Sequence, residues 1–423
     1  MGFKTAYYLF IVFFISLTVG RFYYNEVYDG TPKNHGTTLE GDQGFYDITA
    51  LSVSKGEGYA FEGKPTSAYQ IGYPLFLGAI YYIFGHNYRI AIIIQVILLS
   101  IAFILYTLLA IKINKFLFFF PLVLFVSNYT FIQFAYALMT ETLALFLLIL
   151  SMFLLYCFLQ HKKTYYVFLL GLVYGFLILV RSVFQIYPLL LLLFAIYFIV
   201  KGNYRIYLKF FIFFLVSLII TFPILLRNYK KFGFFSLNAS GGHMFYLGTN
   251  PKYDGIYQGW GQVEKDLNMQ KYYGNQRQDL GLLAMTDRIS VVDRILFQEG
   301  FNNIKKHPVR TVVIICKNIS RLLFYAPYKD KKLSLQRLIL SFINMLSVVS
   351  MLIGFWLVIS GRIMLEPNLK KFLFFCYSAI FYYIAVSSFF AVTPRFGIYP
   401  LVLIYLLSPI ALLTIKSKSV KVT

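Results

Sequence analysis

Long apolar segments recur along the chain from Tyr7 to Ile415, and they constrain its fold more than any other feature. A helix that crosses a bilayer needs about 20 mostly apolar residues. Ten segments fit this requirement, namely residues 5–22, 89–111, 115–131, 139–159, 165–182, 184–200, 207–226, 337–360, 370–390 and 396–415. Charged residues make up only 13% of the chain, about half the fraction usual in soluble domains. The sequence therefore predicts an all-α polytopic membrane protein with about ten transmembrane helices.

Two further apolar segments, 73–85 and 311–325, are predicted to be juxtamembrane helices that lie along the membrane surface. The first has only 13 residues, which is too short to cross a bilayer comfortably. The second is interrupted by Lys317 and Arg321, whose charges are costly at the centre of a membrane.

The distribution of charge predicts the orientation of the chain. With ten spans, both termini lie on one side of the membrane. The short loops on that side hold 14 lysines and arginines and a single acid, Glu366, so the positive-inside rule makes it cytoplasmic. Two long outer loops remain, residues 23–88 and 227–336, in what we expect to be a single membrane-embedded catalytic domain spanning residues 1–423. Membrane orientation also explains the net charge of +22, so we expect no nucleic-acid partner.

The first outer loop contains the densest group of acids. Asp42 precedes a predicted helix whose apolar residues fit roughly one face and which stops at Gly56 (Phe45, Ile48, Leu51 and Val53). Asp42 is interpreted either as an N-cap of this helix or as a general base at a membrane-facing cavity. Asp47 lies one residue beyond Tyr46 on this helix, so its side chain is expected to point away from the site that Asp42 faces.

Cations also appear on the outer side, against the general trend (Arg181, Arg227, Lys230, Lys231 and Arg395). Each alone could extend its charge to the lipid headgroups. Together they predict a site for an anion such as a lipid phosphate, because arginine binds phosphate through two parallel hydrogen bonds. Glu141 opens the fourth predicted span from outside, where an acid also complements the helix dipole.

Short motifs follow one another in a fixed order along about 360 residues. Asp42, Tyr46 and Ala50 form an Asp-x-x-x-Tyr-x-x-x-Ala pattern. Later motifs are Gly56-Glu57-Gly58-Tyr59, residues 70–77 and 82–85, Thr140-Glu141, residues 175–181, Pro223 to Gly233, residues 240–251, His307-Pro308 and Pro394-Arg395-Phe396. In the order of these motifs, and in their predicted position on the outer side of the membrane, the chain resembles GT-C fold membrane glycosyltransferases that use polyprenyl-phosphate sugars. The protein O-mannosyltransferase and aminoarabinose-transferase branches are the most similar.

The resemblance implies a role for each candidate. Asp42 would be the catalytic carboxylate. The cations expected at the donor phosphate are Arg181, Arg395, Arg227 and Lys230. The residues expected around the sugar or acceptor are Tyr46, Glu141 and Tyr73, although Tyr46 fits packing under the loop equally well. Two positions depart from the family pattern: Gln43 stands where many relatives have an acid, and Ser182 stands where many have proline.

The resemblance also implies the reaction. A sugar would move from a polyprenyl-phosphate carrier to a lipid, glycan or protein acceptor on the extracytoplasmic side, with inversion in one displacement. We expect no cofactor, the alternative being a divalent metal shared by Asp42 and Glu141. A bacterial inner membrane is the expected location. Rival hypotheses are an O-antigen polymerase or ligase, which would depend on arginine more than on Asp42, and a lipid-linked sugar flippase or transporter, whose halves usually repeat.

Overall fold

The structure is a computed structural model that describes residues 41–115, 118–200, 204–259, 262–263, 267, 289–324 and 335–412. The predicted first span, residues 5–22, and both chain termini lie outside these residues. The described α-helices are α1 (Gly41–Ser54), α2 (Gly72–Phe84), α3 (Tyr88–Ile113), α4 (Phe119–Ser127), α5 (Thr130–Gln133), α6 (Thr140–His161), α7 (Thr164–Val180), α8 (Tyr187–Val200), α9 (Tyr204–Phe232), α10 (Gly241–Thr249), α11 (Ile289–Lys306), α12 (Pro308–Phe324), α13 (Leu335–Ile359), α14 (Pro367–Ser388) and α15 (Ile398–Leu407). Short 3-10 helices cover Phe134–Tyr136, Ser182–Phe184, Pro394–Gly397 and Ser408–Leu412. An antiparallel pair, β1 (Ala60–Phe61) and β2 (Lys64–Pro65), places Ala60 opposite Pro65.

The described part of the chain confirms the all-α polytopic membrane fold. Six of its helices are long and apolar enough to cross a bilayer, namely Tyr88–Ile113, Thr140–His161, Leu208–Phe232, Leu335–Ile359, Pro367–Ser388 and Pro394–Leu412. The helices Thr164–Val180 and Ser182–Ile196 are apolar but shorter. The count of ten spans therefore stays a prediction.

The segment predicted as one span at 115–131 is a broken helix. Phe119–Ser127 and Tyr129–Tyr136 meet at an angle of 67°. Asn128 stabilises the break, because its backbone N–H donates to the carbonyl of Leu124 and its side-chain oxygen accepts the N–H of Thr130. A buried side-chain amide that accepts a backbone N–H just after a bend is not visible in the hydropathy pattern.

The helix of the first outer loop forms, but its buried face differs from the predicted one. Asp42 lies in the first turn of α1 rather than ahead of it, and Gly56 follows the helix with φ 78°. The buried residues of α1 are Gly44, Phe45, Tyr46, Thr49, Ala50 and Ser52. Of the predicted apolar face only Phe45 is among them. The buried face is set by the rings of Phe45 and Tyr46, which pack against Tyr69 and Tyr73 of the same loop.

The second predicted juxtamembrane segment is also a helix, α12, and its cations have a protein partner. Asp254 accepts Lys317 at 2.7 Å, Arg310 at 3.1 Å and Arg321 at 3.4 Å. Burial opposes ionisation of this carboxylate, but the three cations, Lys317 foremost, lower its pKa below the ordinary value. Part of the second outer loop is thereby bound to α12. The position of α2 and α12 at the membrane surface stays a prediction.

Gly72 brings the first outer loop against the end of α7. A Cβ at this position would lie 2.5 Å from the carbonyl carbon of Leu179 and 2.6 Å from the amide nitrogen of Val180. We expect Gly72→Ala to destabilise the protein by about 1–3 kcal/mol, since neither backbone can move away without disturbing its helix. Chemical unfolding in detergent measures this. Gly241→Ala is the matched control, because nothing lies within 4 Å of its Cβ position, and an equal loss in both variants would contradict the prediction.

Candidate active site

Four segments that are distant in sequence meet at one place and bring two carboxylates to two arginines. Glu141, in the first turn of α6, contacts Arg181, the residue that ends α7. The distance between Glu141 Oε1 and Arg181 Nη2 is 2.6 Å. The side chain of Glu141 is 1% exposed and that of Arg181 is 16% exposed. A buried pair this close is held firmly, because separating the charges would leave each without solvation.

Arg395, in the 3-10 helix before α15, lies between the two carboxylates. Its Nη1 and Nη2 are both 3.3 Å from Asp42 Oδ2. Its Nε is 3.6 Å from Glu141 Oε1. The side chains of Asp42 and Arg395 are 31% and 32% exposed, so the cluster runs from the buried Glu141 to a partly open Asp42. Two carboxylates and two guanidinium groups make it neutral overall.

Two glutamines hold the first outer loop over this cluster. Gln43 Oε1 accepts the backbone N–H of Leu138 at 3.1 Å, just before α6 begins. Gln70 Nε2 donates to Ser182 Oγ at 3.0 Å, next to Arg181. The two departures from the family pattern, Gln43 and Ser182, thus each take part in a contact that positions a charged residue of the cluster.

Tyr69 is a member of the site that the sequence did not single out. Its hydroxyl donates to Asp42 Oδ1 at 3.2 Å. Burial, together with the nearby charge of Asp42, raises the pKa of Tyr69 well above its usual value, so it stays a hydrogen-bond donor at neutral pH. No periodicity or motif marks this residue, and only the folded loop brings it to Asp42.

The predicted pocket residues Tyr46 and Tyr73 lie behind Tyr69. Both are buried, and their rings contact edge to face with centroids 5.0 Å apart. The hydroxyl of Tyr73 donates to Gln95 Oε1 at 2.6 Å. This contact places Tyr73 in the packed core under Tyr46, and its role toward a sugar or acceptor stays a prediction.

The structure separates the other two predicted cations from the contacts of the cluster. Arg227 donates to the carbonyl oxygens of Tyr59 at 2.8 Å and Thr66 at 3.0 Å, and its guanidinium lies over the ring of Tyr59. It therefore binds the β1–β2 hairpin to α9. Lys230 is exposed on the last turn of α9. No contact described here joins either residue to Asp42, Glu141, Arg181 or Arg395.

Asp47 faces away from the cluster, as predicted. Its carboxylate accepts the hydroxyl of Tyr81 at 2.6 Å and lies 2.9 Å from His86 Nε2. It therefore provides a second carboxylate on the same helix, with a different set of partners, against which Asp42 can be compared.

A metal site is not evident in the part of the chain that the structure describes. Within it, no three histidine, cysteine or acidic side chains are grouped as metal ligands would be. Asp42 and Glu141 have Arg395 between them, so a metal shared by the two would have to displace a guanidinium group. Metal dependence stays untested.

An apolar groove of about 720 Å³ opens between α8, α13 and α14. It follows α14 from Lys370 near its beginning to Val386 near its end. The lining is Ile186, Leu190, Phe194, Phe355, Val358, Ile359, Lys370, Leu373, Phe374, Tyr377, Ser378, Phe381, Tyr382, Ala385 and Val386. The Tyr382 hydroxyl donates to the carbonyl of Val183. The end of the groove near Val386 therefore adjoins the segment that begins at Arg181.

With Asp42 as the catalytic carboxylate that the resemblance implies, we expect Tyr69→Phe to lower kcat about tenfold, because the lost hydroxyl no longer positions Asp42 Oδ1 and the carboxylate can rotate. Tyr82→Phe is the control, since Tyr82 is exposed on α2. Steady-state kinetics and thermal unfolding measure the two variants. An unchanged kcat in Tyr69→Phe, or a loss explained by a lower melting temperature, would contradict this positioning role.

Comparison with known proteins identifies the fold. No family model matches the chain, and no curated protein sequence matches it. The chain is similar to the solved structure of the archaeal oligosaccharyltransferase AglB from Archaeoglobus fulgidus, in complex with an inhibitory peptide and a dolichol-phosphate. The TM-score is 0.55 at 15% identity, over 99% of this chain and 51% of the other. The chain thus spans about half the length of that protein, and the likeness supports the predicted GT-C-like architecture at the level of fold.

Proposed function

We propose that this protein is a GT-C-type glycosyltransferase that moves a sugar from a polyprenyl-phosphate carrier to an acceptor hydroxyl or similar group on the extracytoplasmic side of a membrane. One observation carries the proposal. A partly open carboxylate, Asp42, shares a neutral cluster with two arginines at the ends of apolar helices. Such a cluster offers a base for an acceptor and cations for a departing phosphate.

The arginines fit the leaving group. When the sugar departs, the phosphate of the carrier gains a negative charge, and cations already in place stabilise that charge most effectively. Arg181 is held by buried Glu141, and Arg395 reaches the more open side of the cluster. In this proposal both bind the phosphate, and Glu141 orients Arg181. Arg227 and Lys230 lack described contacts with the cluster. They remain candidates only for attracting the anionic donor towards the site.

Asp42 fits the role of general base. In the proposed step, Asp42 takes the proton of the acceptor, whose heteroatom forms the new bond to the anomeric carbon. The bond from that carbon to the phosphate oxygen breaks, and its electron pair stays on the phosphate. Retention would require a carboxylate nucleophile in addition to an acid/base. Glu141 is a poor candidate for that nucleophile because it is buried and bound to Arg181, which supports inversion in a single displacement.

The apolar groove supports a lipid carrier as the donor. Its lining is almost entirely apolar, and one end adjoins the segment that begins at Arg181. A prenyl chain in the groove would therefore extend away from a phosphate bound in the cluster. The structurally similar AglB was solved with a dolichol-phosphate, which is a lipid phosphate of the same chemical class.

The proposal is tested by a transfer assay with the purified full-length protein in nanodiscs. Radiolabelled polyprenyl-phosphate sugars and, as a second donor class, polyprenyl-diphosphate-linked glycans are supplied one at a time with an extract of the cell envelope as acceptor. We expect label to move from one donor to the extract, and Arg181→Ala to abolish the transfer. Transfer only from diphosphate-linked glycans would favour a polymerase or ligase. Donor binding without any transfer would favour a flippase or transporter.

A further inference from the structure

We propose that Arg395 changes partner during the reaction, from Asp42, its partner in the structure, to the phosphate of the bound donor. Donor binding would thereby free the base, so that the acceptor is deprotonated only when a sugar is ready to receive it. This inference rests on the proposed function and concerns the order of events within the same site. It follows from an asymmetry between the two arginines.

Both oxygens of Asp42 accept hydrogen bonds in the structure. Arg395 donates to Oδ2 through two nitrogens, each at 3.3 Å, and Tyr69 donates to Oδ1 at 3.2 Å. Tyr69 belongs to the same loop as Asp42 and is half-buried, and its ring packs against Phe45 and Tyr46 of α1, so its hydroxyl stays with the carboxylate. Oδ2 is the oxygen that becomes available to an acceptor proton once Arg395 leaves.

Arg395 is held less tightly than Arg181. Both guanidinium groups lie over the ring of Phe396, each 5.4 Å from its centroid. Arg181 is in addition 2.6 Å from Glu141 and lies over the ring of Tyr399, 5.7 Å from its centroid. Arg395 is twice as exposed as Arg181, and its contacts with carboxylates are 3.3 and 3.6 Å long. A long, partly solvated ion pair is weak. It can be exchanged for a phosphate at little cost.

The charges of the cluster favour this exchange. Glu141, Asp42, Arg181 and Arg395 sum to zero, so a donor phosphodiester with one negative charge gives a total of −1. After transfer, Asp42 carries the acceptor proton and is neutral, while the carrier phosphate has two negative charges, and the total is again −1. One negative charge has thus moved from Asp42 to the phosphate. Arg395 lies beside Asp42, and it is positioned to form an ion pair with the phosphate once the charge is there.

The exchange also sets the order of the two events. While Arg395 holds Oδ2, this oxygen is not free to accept a proton, and it becomes free only when a donor phosphate has drawn the guanidinium away. The structure therefore predicts that donor binding precedes activation of the acceptor.

The experiment measures binding of undecaprenyl phosphate to the purified full-length protein in nanodiscs, which requires no knowledge of the sugar. We expect Asp42→Asn to tighten binding about threefold to fivefold, because Arg395 no longer has to leave an ion pair. In an Arg395→Gln background, where binding is weaker, the same Asp42→Asn change is expected to alter affinity less than about twofold. Asp47→Asn, on the same helix but bound to Tyr81 and His86, is the matched control and should leave affinity unchanged.

Three outcomes would contradict the exchange. If Asp42→Asn leaves affinity unchanged or weakens it, Arg395 is not withheld by Asp42. If Asp42→Asn raises the affinity equally with and without Arg395, the effect is relief of repulsion between Asp42 and the phosphate rather than a change of partner. If the folded wild-type protein does not bind undecaprenyl phosphate at all, the proposed function fails, and the exchange fails with it. Thermal unfolding of every variant confirms that affinities are compared between folded proteins.

Discussion

Replacing Asp42 by asparagine is expected to lower the rate of sugar transfer by about 10³-fold, the usual loss when a general base is removed. The substitution keeps the shape of the side chain and its place in the first turn of α1. Because the amide cannot accept a proton from the acceptor, the attack on the anomeric carbon loses its base. The loss should appear in kcat, while the donor still binds.

The transfer assay in nanodiscs measures this effect, with expression and melting temperature checked in parallel. Asp47→Asn is the control, since Asp47 lies on the same helix and contacts Tyr81 and His86 instead of the cluster. Near-normal transfer by a folded Asp42→Asn variant would remove Asp42 from the mechanism. Loss of transfer in Arg181→Ala but not in Asp42→Asn would favour the polymerase or ligase hypothesis.

Replacing Arg181 by methionine is expected to lower the free energy of unfolding by about 3–5 kcal/mol and to abolish transfer. The substitution leaves Glu141, which is 1% exposed, without its partner at 2.6 Å. Arg395 Nε, at 3.6 Å, compensates only in part. The loss of stability reflects an unpaired buried charge, whereas the loss of transfer reflects a missing phosphate ligand.

A double variant separates these two effects. Arg181→Met combined with Glu141→Gln removes both charges, so stability should return to within about 1 kcal/mol of the wild type. Transfer should stay absent, since the phosphate has lost one of its two cations. Chemical unfolding in detergent and the transfer assay give the two readouts. Recovery of activity with stability would show that Arg181 has a structural role only.

The helical architecture could be predicted from the sequence because each transmembrane helix is specified locally. The apolar segments at 89–111, 139–159, 337–360 and 370–390 correspond to α3, α6, α13 and α14 with small shifts at their ends. The two juxtamembrane segments were also recognised as helices. The break at Asn128 was missed because it depends on one buried side-chain amide that accepts the backbone N–H of Thr130 just after the bend.

The site could be predicted only as a set of candidates. Arg181 and Arg227 have similar sequence contexts, each near the outer end of a predicted span, yet Arg181 contacts Glu141 and Arg227 binds the β1–β2 hairpin. Tyr69 carries no sequence signal at all. The buried face of α1 was also misjudged, since hydropathy alone does not show that the rings of Phe45 and Tyr46 pack against Tyr69 and Tyr73.

The sequence by itself determined that this chain is a polytopic all-α membrane protein, because a bilayer requires every backbone polar group to be paired within the helix that carries it. Length and apolarity are then sufficient to specify a span. Only the tertiary structure decided which charges meet. Asp42 and Arg395 are 353 residues apart in sequence, and their contact depends on how α1, α6, α7 and the segment before α15 pack together. That packing is a property of the whole helix bundle, and no single segment encodes it.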